Sequence, residues 1–147
     1  MDDTPDSVTR QVSIGAPIEA VWQLITVAAD IQAWYAFDGA SVDLRPGGSI
    51  EHYWHEHGRF RGAVVEVSPP TVFAYRYSTL PEVEPAPGHQ TLVTFELTTT
   101  GPEQTLVRVT ESGLADLELS EEERAAYLAV TTRGWVAGLA ALAERAV

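Results

Sequence analysis

At 147 residues the chain is long enough for one domain that buries roughly 70% of its unfolded surface, so it needs no staple to fold. It has no cysteine, which excludes a disulfide framework, a thiolate nucleophile and a thiolate-ligated metal; with no lysine either, Schiff-base chemistry is excluded. Twenty-one acidic residues against nine basic ones, all arginine, give a net charge of −12, which repels phosphate backbones and anionic membranes, so nucleic acid is not an expected partner.

Residues 1–7 (MDDTPDS) are acidic where a signal peptide would be basic and then apolar, and they read as a disordered lead-in to a single domain over residues 8–147. No apolar run approaches the ~20 residues of a membrane span, so a cytoplasmic protein without membrane insertion is expected. Val8 to Ile14 alternates with the period of a half-buried strand. Pro17 suits a helix start, and Ile18, Val21, Trp22 and Ile25 form an apolar stripe through Val27, followed by a second short helical piece over Asp30 to Tyr35. Strands follow at Ala40–Leu44, Ser49–Glu56, Arg59–Val67 and Thr71–Ser78, separated by the Arg45-Pro46-Gly47-Gly48, His57-Gly58 and Ser68-Pro69-Pro70 turns. Thr79 to His89 carries three prolines and reads as a loop, after which Gln90–Thr99 and Gln104–Glu111 are two more strands.

Ser120 to Ala146 is the longest helical signal. Ser120 and Glu123 form a capping box, and Glu121 to Glu123 lie where the positive end of the helix dipole favours anions. Two apolar series run along it: Tyr127, Val130, Gly134, Gly138 and Ala141, and Leu128, Trp135, Leu139 and Leu142. The element order predicts an α+β fold in which one antiparallel sheet is covered on one face by this helix. A sheet of this size twists, so a straight helix is expected to leave a gap over it. Trp34, Trp54, Phe73, Tyr75, Tyr77, Phe95, Trp135 and Leu139 are the candidate walls of that gap, with Gly134 and Gly138 leaving room.

Two ionisable features stand near these walls. His52, His55 and His57 lie within six residues, but strand alternation brings at most two imidazoles to one point, so no metal site is expected. An inward histidine would be His52 beside Trp54 or His55 beside Tyr53, where a neutral imidazole could orient a ligand. Glu111 follows Val107 and Val109 onto the inward face. A desolvated carboxylate there needs a partner, for which Arg59, Arg61, Arg76 and Arg108 are the available cations. It reads as a ligand anchor or general acid/base, or else as a structural ion pair or turn cap. No nucleophile elbow, phosphate loop or dinucleotide fingerprint occurs, so no catalytic residue or cofactor is assigned.

Ala16-Pro17 with Val21-Trp22, Trp34, the Arg45-Pro46-Gly47-Gly48 turn, Gly62, Glu66-Val67 before Pro69-Pro70, Thr105 before Val107 and Val109, Glu111-Ser112-Gly113-Leu114 and Gly134-Trp135 follow one another over about 130 residues. In this order the chain resembles the START-like (SRPBCC) superfamily with its helix-grip fold, and within it the bacterial family named for the activator of heat-shock protein 90 ATPase. The resemblance implies a cavity for lipids, sterols, polyketides or hormones in some members and cyclase activity in others. The eukaryotic co-chaperones of that name carry a separate N-terminal domain that engages the chaperone; only seven residues precede the first strand here, so a chaperone partner is not expected.

The first expectation is therefore non-catalytic binding of a hydrophobic small molecule, lipid-, polyketide- or aromatic-like, with Trp34, His52, Trp54, Phe73, Tyr75, Tyr77, Phe95, Glu111, Trp135 and Leu139 at the site. A second is cyclase-like acid/base chemistry in the same cavity using His52 or His55 with Glu111. The third is a protein-interaction or stress-related module.

Overall fold

The computed structural model describes residues 5–146. Seven strands, β1 (Ser7–Ile14), β2 (Gly39–Val42), β3 (Ser49–Trp54), β4 (Gly58–Ser68), β5 (Val72–Ser78), β6 (Gln90–Gly101) and β7 (Gln104–Ser112), form one antiparallel sheet in the order β1-β7-β6-β5-β4-β3-β2. Helices α1 (Ile18–Thr26) and α2 (Ala28–Trp34) connect the two edge strands, and α3 (Glu121–Ala146) follows β7 through a single 3₁₀ turn at Leu114–Asp116. This is the helix-grip arrangement that the resemblance implies.

Residues 1–4, and Val147 at the other end of the expected domain, lie outside the described residues. Within the rest of the expected lead-in, Ser7 already pairs with Ser112, and Asp6 accepts hydrogen bonds from the Leu114 and Ala115 amides at 2.9 Å each.

Alternation decides which face is buried. Phe73 and Tyr75 on β5, Val93, Phe95 and Leu97 on β6, and Val107, Val109 and Glu111 on β7 all point to one side, and the register aligns them in rows. Phe73 lies opposite Phe95 and Phe95 opposite Val109; Tyr75 lies opposite Val93 and Val93 opposite Glu111. Register shifts at Val64/Glu66 and Thr99/Gly101 bend β4 and β6, as an extra residue in a ladder does.

The short helices are tied down by side-chain bonds to backbone carbonyls. Trp34 Nε1 donates to the Leu24 carbonyl at 2.8 Å, and Thr105 Oγ1 to the Ala16 carbonyl at 2.8 Å. The α3 start is the expected capping box: the Glu123 amide donates to Ser120 Oγ at 3.0 Å and the Ser120 amide to Glu123 Oε1 at 2.9 Å. Arg124 fixes the preceding link by donating to the carbonyls of Leu114, Leu117 and Leu119.

One face of α3 meets the sheet, with Trp135, Gly138, Leu139 and Leu142 buried. Its outer face corrects the expected first series: Val130 is 60% exposed, and Gly134 has open space where a side chain would be. Gly134 therefore makes no room over the sheet. Although no long apolar run was expected, α3 is by length and mean hydropathy sufficient to cross a membrane; it is nonetheless docked here on the sheet through that one face.

Candidate functional site

The interior between sheet and α3 is centred on Glu111, which is 2% exposed. Its carboxylate accepts four hydrogen bonds. Oε2 takes them from Thr91 Oγ1 at 2.8 Å and the Tyr127 hydroxyl at 2.6 Å; Oε1 takes them from Thr131 Oγ1 at 2.6 Å and Trp135 Nε1 at 2.9 Å. Tyr127, Thr131 and Trp135 are four residues apart on α3, so one helical face presents three donors to the end of β7. All four partners are neutral groups, and together they occupy both carboxylate oxygens.

This overturns the expected arginine partner. Arg59 pairs with Glu51 at 3.4 Å and Arg61 with Glu84 at 3.4 Å, while Arg76 and Arg108 lie exposed on the opposite face of their strands. Glu111 is thus neither in an ion pair nor a turn cap; it is the polar joint between β7 and α3.

His52 is the inward histidine, 2% exposed, with Nδ1 2.9 Å from the Tyr77 hydroxyl. Burial pushes its pKa down to about 3, so the imidazole is neutral. His55 and His57 are exposed at the tip of the β3–β4 hairpin, because β3 ends at Trp54 rather than continuing to Glu56. His55 therefore does not face inward, and no group of three metal-ligating side chains is assembled among the described residues.

Around these groups the rings pack edge to face. Tyr35, just past the end of α2, stacks parallel to Trp135 at 6.1 Å and meets His52 at 5.2 Å and Trp54 at 5.1 Å edge-on. Trp54 in turn donates Nε1–H to the Tyr35 carbonyl at 3.0 Å. Tyr75, Tyr77 and Phe60 continue the cluster over β5 and β4, and Phe95 lies edge-on to Trp135 at 5.8 Å. The phenols of Tyr35, Tyr75, Tyr77 and Tyr127 are all held above the ordinary tyrosine pKa, first by burial; the Glu111 carboxylate comes second for Tyr35 and Tyr127 and, for Tyr75 and Tyr77, after neighbouring tyrosines.

The expected gap is nearly filled. A void of about 10 Å³ remains, bordered by Ile25, Ile31, Trp34, Tyr35, Ile50, His52, Phe73, Tyr75 and Phe95, room for no more than about one water. Tyr35 and Trp135 occupy the space that twist alone was expected to leave open. Of the residues expected at the site, Trp34, His52, Phe73, Tyr75 and Phe95 border this void; Trp54, Tyr77, Glu111 and Trp135 form the surrounding cluster, and Leu139 is core beside it. A larger groove of about 550 Å³ lies elsewhere, at the end of the sheet, lined by polar groups including Asp6, Arg76, Gln90 and Glu118.

Sequence reasoning passed over Tyr35, Thr91, Tyr127 and Thr131. The four-residue spacing of Tyr127, Thr131 and Trp135 was the available signal: hydroxyl, hydroxyl and indole donors on one helix face imply an acceptor opposite.

The family described as "Activator of Hsp90 ATPase homolog 1-like protein" matches residues 15–146. The chain belongs to this family. Solved structures share the fold of this Hsp90-ATPase-activator-like chain at low identity. MLL2253 from Mesorhizobium loti is 22% identical with a TM-score of 0.76, covering 95% of each chain. The Aha1 dimer from Colwellia psychrerythraea is 20% identical with a TM-score of 0.76, again over 95% of each chain. DynU16, described as a protein in the dynemicin biosynthetic locus, is 24% identical with a TM-score of 0.73, over 95% of this chain and 46% of its own. No curated protein matches the sequence.

Proposed function

We propose that this protein binds a hydrophobic small molecule, lipid-, polyketide- or aromatic-like, between the sheet and α3 without transforming it. The observation that carries the reading is the aromatic chamber around Tyr35. A core built only for packing has no use for a buried imidazole, four phenols and a carboxylate, each of which costs desolvation. The void of about 10 Å³ admits no organic ligand as it stands, so binding requires a side chain to leave. Tyr35 is the group suited to this: it lies outside α2 and is half-buried, and its backbone carbonyl is held by Trp54 Nε1 while the ring turns. The parallel face of Trp135 is then free to stack on a ligand.

Binding is favoured over catalysis because the two candidate acid/base groups are already engaged. Glu111 has its four acceptor positions filled, and His52 is bonded to Tyr77. The description of DynU16 as a protein in a biosynthetic locus also supports small-molecule recognition.

The test is titration of the protein and of Tyr35→Ala with the neutral apolar dye N-phenyl-1-naphthylamine, read by tryptophan quenching and melting temperature. The wild type should bind, and removal of the tyrosine should tighten binding by about tenfold, since the ligand no longer has to displace the ring. No response from either protein would leave a filled scaffold and no binding site.

A further inference from the structure

Glu111 is a buried carboxylate with no cation paired to it among the described residues. Its four partners are two threonines, a tyrosine and a tryptophan, while Arg45, Arg59 and Arg61 pair elsewhere, with Asp43, Glu51 and Glu84. Arg124, three residues before Tyr127 on α3, directs its guanidinium to the carbonyls of Leu114, Leu117 and Leu119. The one imidazole in the chamber stays neutral. Hydrogen bonds stabilise the carboxylate locally, but its field still extends into a medium of low dielectric, where charges act at longer range than in water. That field reaches the Tyr35, Tyr75 and Tyr77 phenols, which border the void or pack beside it.

Ring faces complete the arrangement. Trp135 touches Glu111 through its Nε1 and presents its face to Tyr35, with Phe95 edge-on, Trp54 and Tyr75 beyond, and Tyr77 next to Tyr75. Aromatic faces and a nearby carboxylate both attract a cation, and both repel an anion. We propose that the ligand of this chamber carries a permethylated ammonium group, which replaces the Tyr35 ring against Trp135. The saturation of Glu111 selects the kind of cation. With all four acceptor positions taken, an N–H-bearing ammonium finds no acceptor on it, whereas a quaternary ammonium has no N–H to satisfy and is held by ring faces and field alone. Fatty acids and other carboxylate-bearing ligands are disfavoured by the same charge.

The proposal rests on the small-molecule reading above, and the test separates the two. Phenyltrimethylammonium, its neutral carbon isostere tert-butylbenzene and anionic benzenesulfonate are titrated into wild type and Tyr35→Ala, with calorimetry and tryptophan fluorescence as readouts. The cation should bind about tenfold or more tightly than the isostere, and the sulfonate not measurably. The preference should persist in about 1 M salt, where surface attraction to this acidic protein is screened within ~3 Å but a buried contact is not. Equal binding of cation and isostere, or a preference that vanishes with salt, overturns the quaternary-ammonium assignment and leaves hydrophobic binding standing. Silence from all three ligands in both proteins overturns both.

Discussion

Glu111, next to last in β7, and Trp135, in the middle of α3, are joined across the interior by a hydrogen bond of 2.9 Å, and the tryptophan is 6% exposed. The bond is one of three that fasten the sheet to its long helix through a single side chain, the carboxylate's fourth bond coming from Thr91 on β6. Removing that side chain leaves two buried donors, on Thr91 and Trp135, and two half-buried ones, on Tyr127 and Thr131, without their acceptor, and the buried ones cost desolvation energy. Glu111→Ala should therefore destabilise the protein by about 3–5 kcal/mol, far more than loss of one exposed carboxylate. Urea unfolding measures this; a loss below about 1 kcal/mol would mean that α3 is held by its apolar face alone.

His52 gives the stability a pH dependence. Its folded pKa is lowered to about 3 from an ordinary value of 6.5, so between those values the unfolded chain takes up a proton that the folded chain refuses. Stability from this group is therefore complete above about pH 6.5 and declines as pH falls toward 3, with a slope of about 1.4 kcal/mol per pH unit. His52→Gln removes the titrating group. Unfolding free energies of wild type and variant measured from pH 7 to 4.5 should converge as the solution is acidified. Parallel curves would show that the imidazole is protonated in the folded state.

The strands and helices were legible in the sequence because period-two and period-four patterns report burial, and the inward position of Glu111 followed from Val107 and Val109. What it bonds to was not legible, since a buried carboxylate suggests an arginine by default, and only the coordinates show α3 turning two hydroxyls and an indole toward it. The filled chamber was equally out of reach. Tyr35 lies beyond the last residue of α2, where no periodicity fixes its direction, and its ring decides whether the space over β5 is open. Val130 and Gly134 were misplaced for a related reason: an alanine-rich helix offers little contrast between its two faces.

Tyr35, Tyr75, Tyr77 and Tyr127 should resist ionisation at alkaline pH. Burial chiefly, and after it the Glu111 carboxylate and neighbouring tyrosines, raise all four above 10.0 in the folded state. Once pH exceeds about 10, the unfolded chain loses phenolic protons that the folded chain keeps, so stability falls as pH rises further. Phenolate absorbance and far-ultraviolet circular dichroism followed together should show these four tyrosines ionising only as the helix signal collapses. Reversible ionisation of all four near pH 10 with the helix intact would place them in contact with water.

Gly134 sits in the exposed interior of α3 with nothing within 4 Å of the position its Cβ would occupy. Glycine in a helix interior loses more backbone freedom on folding than alanine does, and here no contact offsets that loss. Gly134→Ala should stabilise the protein by about 0.5–1 kcal/mol. Gly138 provides the contrast on the buried face, where an added methyl would lie 3.8 Å from Trp34 and Tyr35, ordinary contact that can tighten the chamber. Melting temperatures of the two variants, with dye binding measured alongside, distinguish the faces: Gly134→Ala should raise the melting temperature without changing affinity, and Gly138→Ala should alter affinity. An affinity change at Gly134 would put the ligand on the outer face of α3.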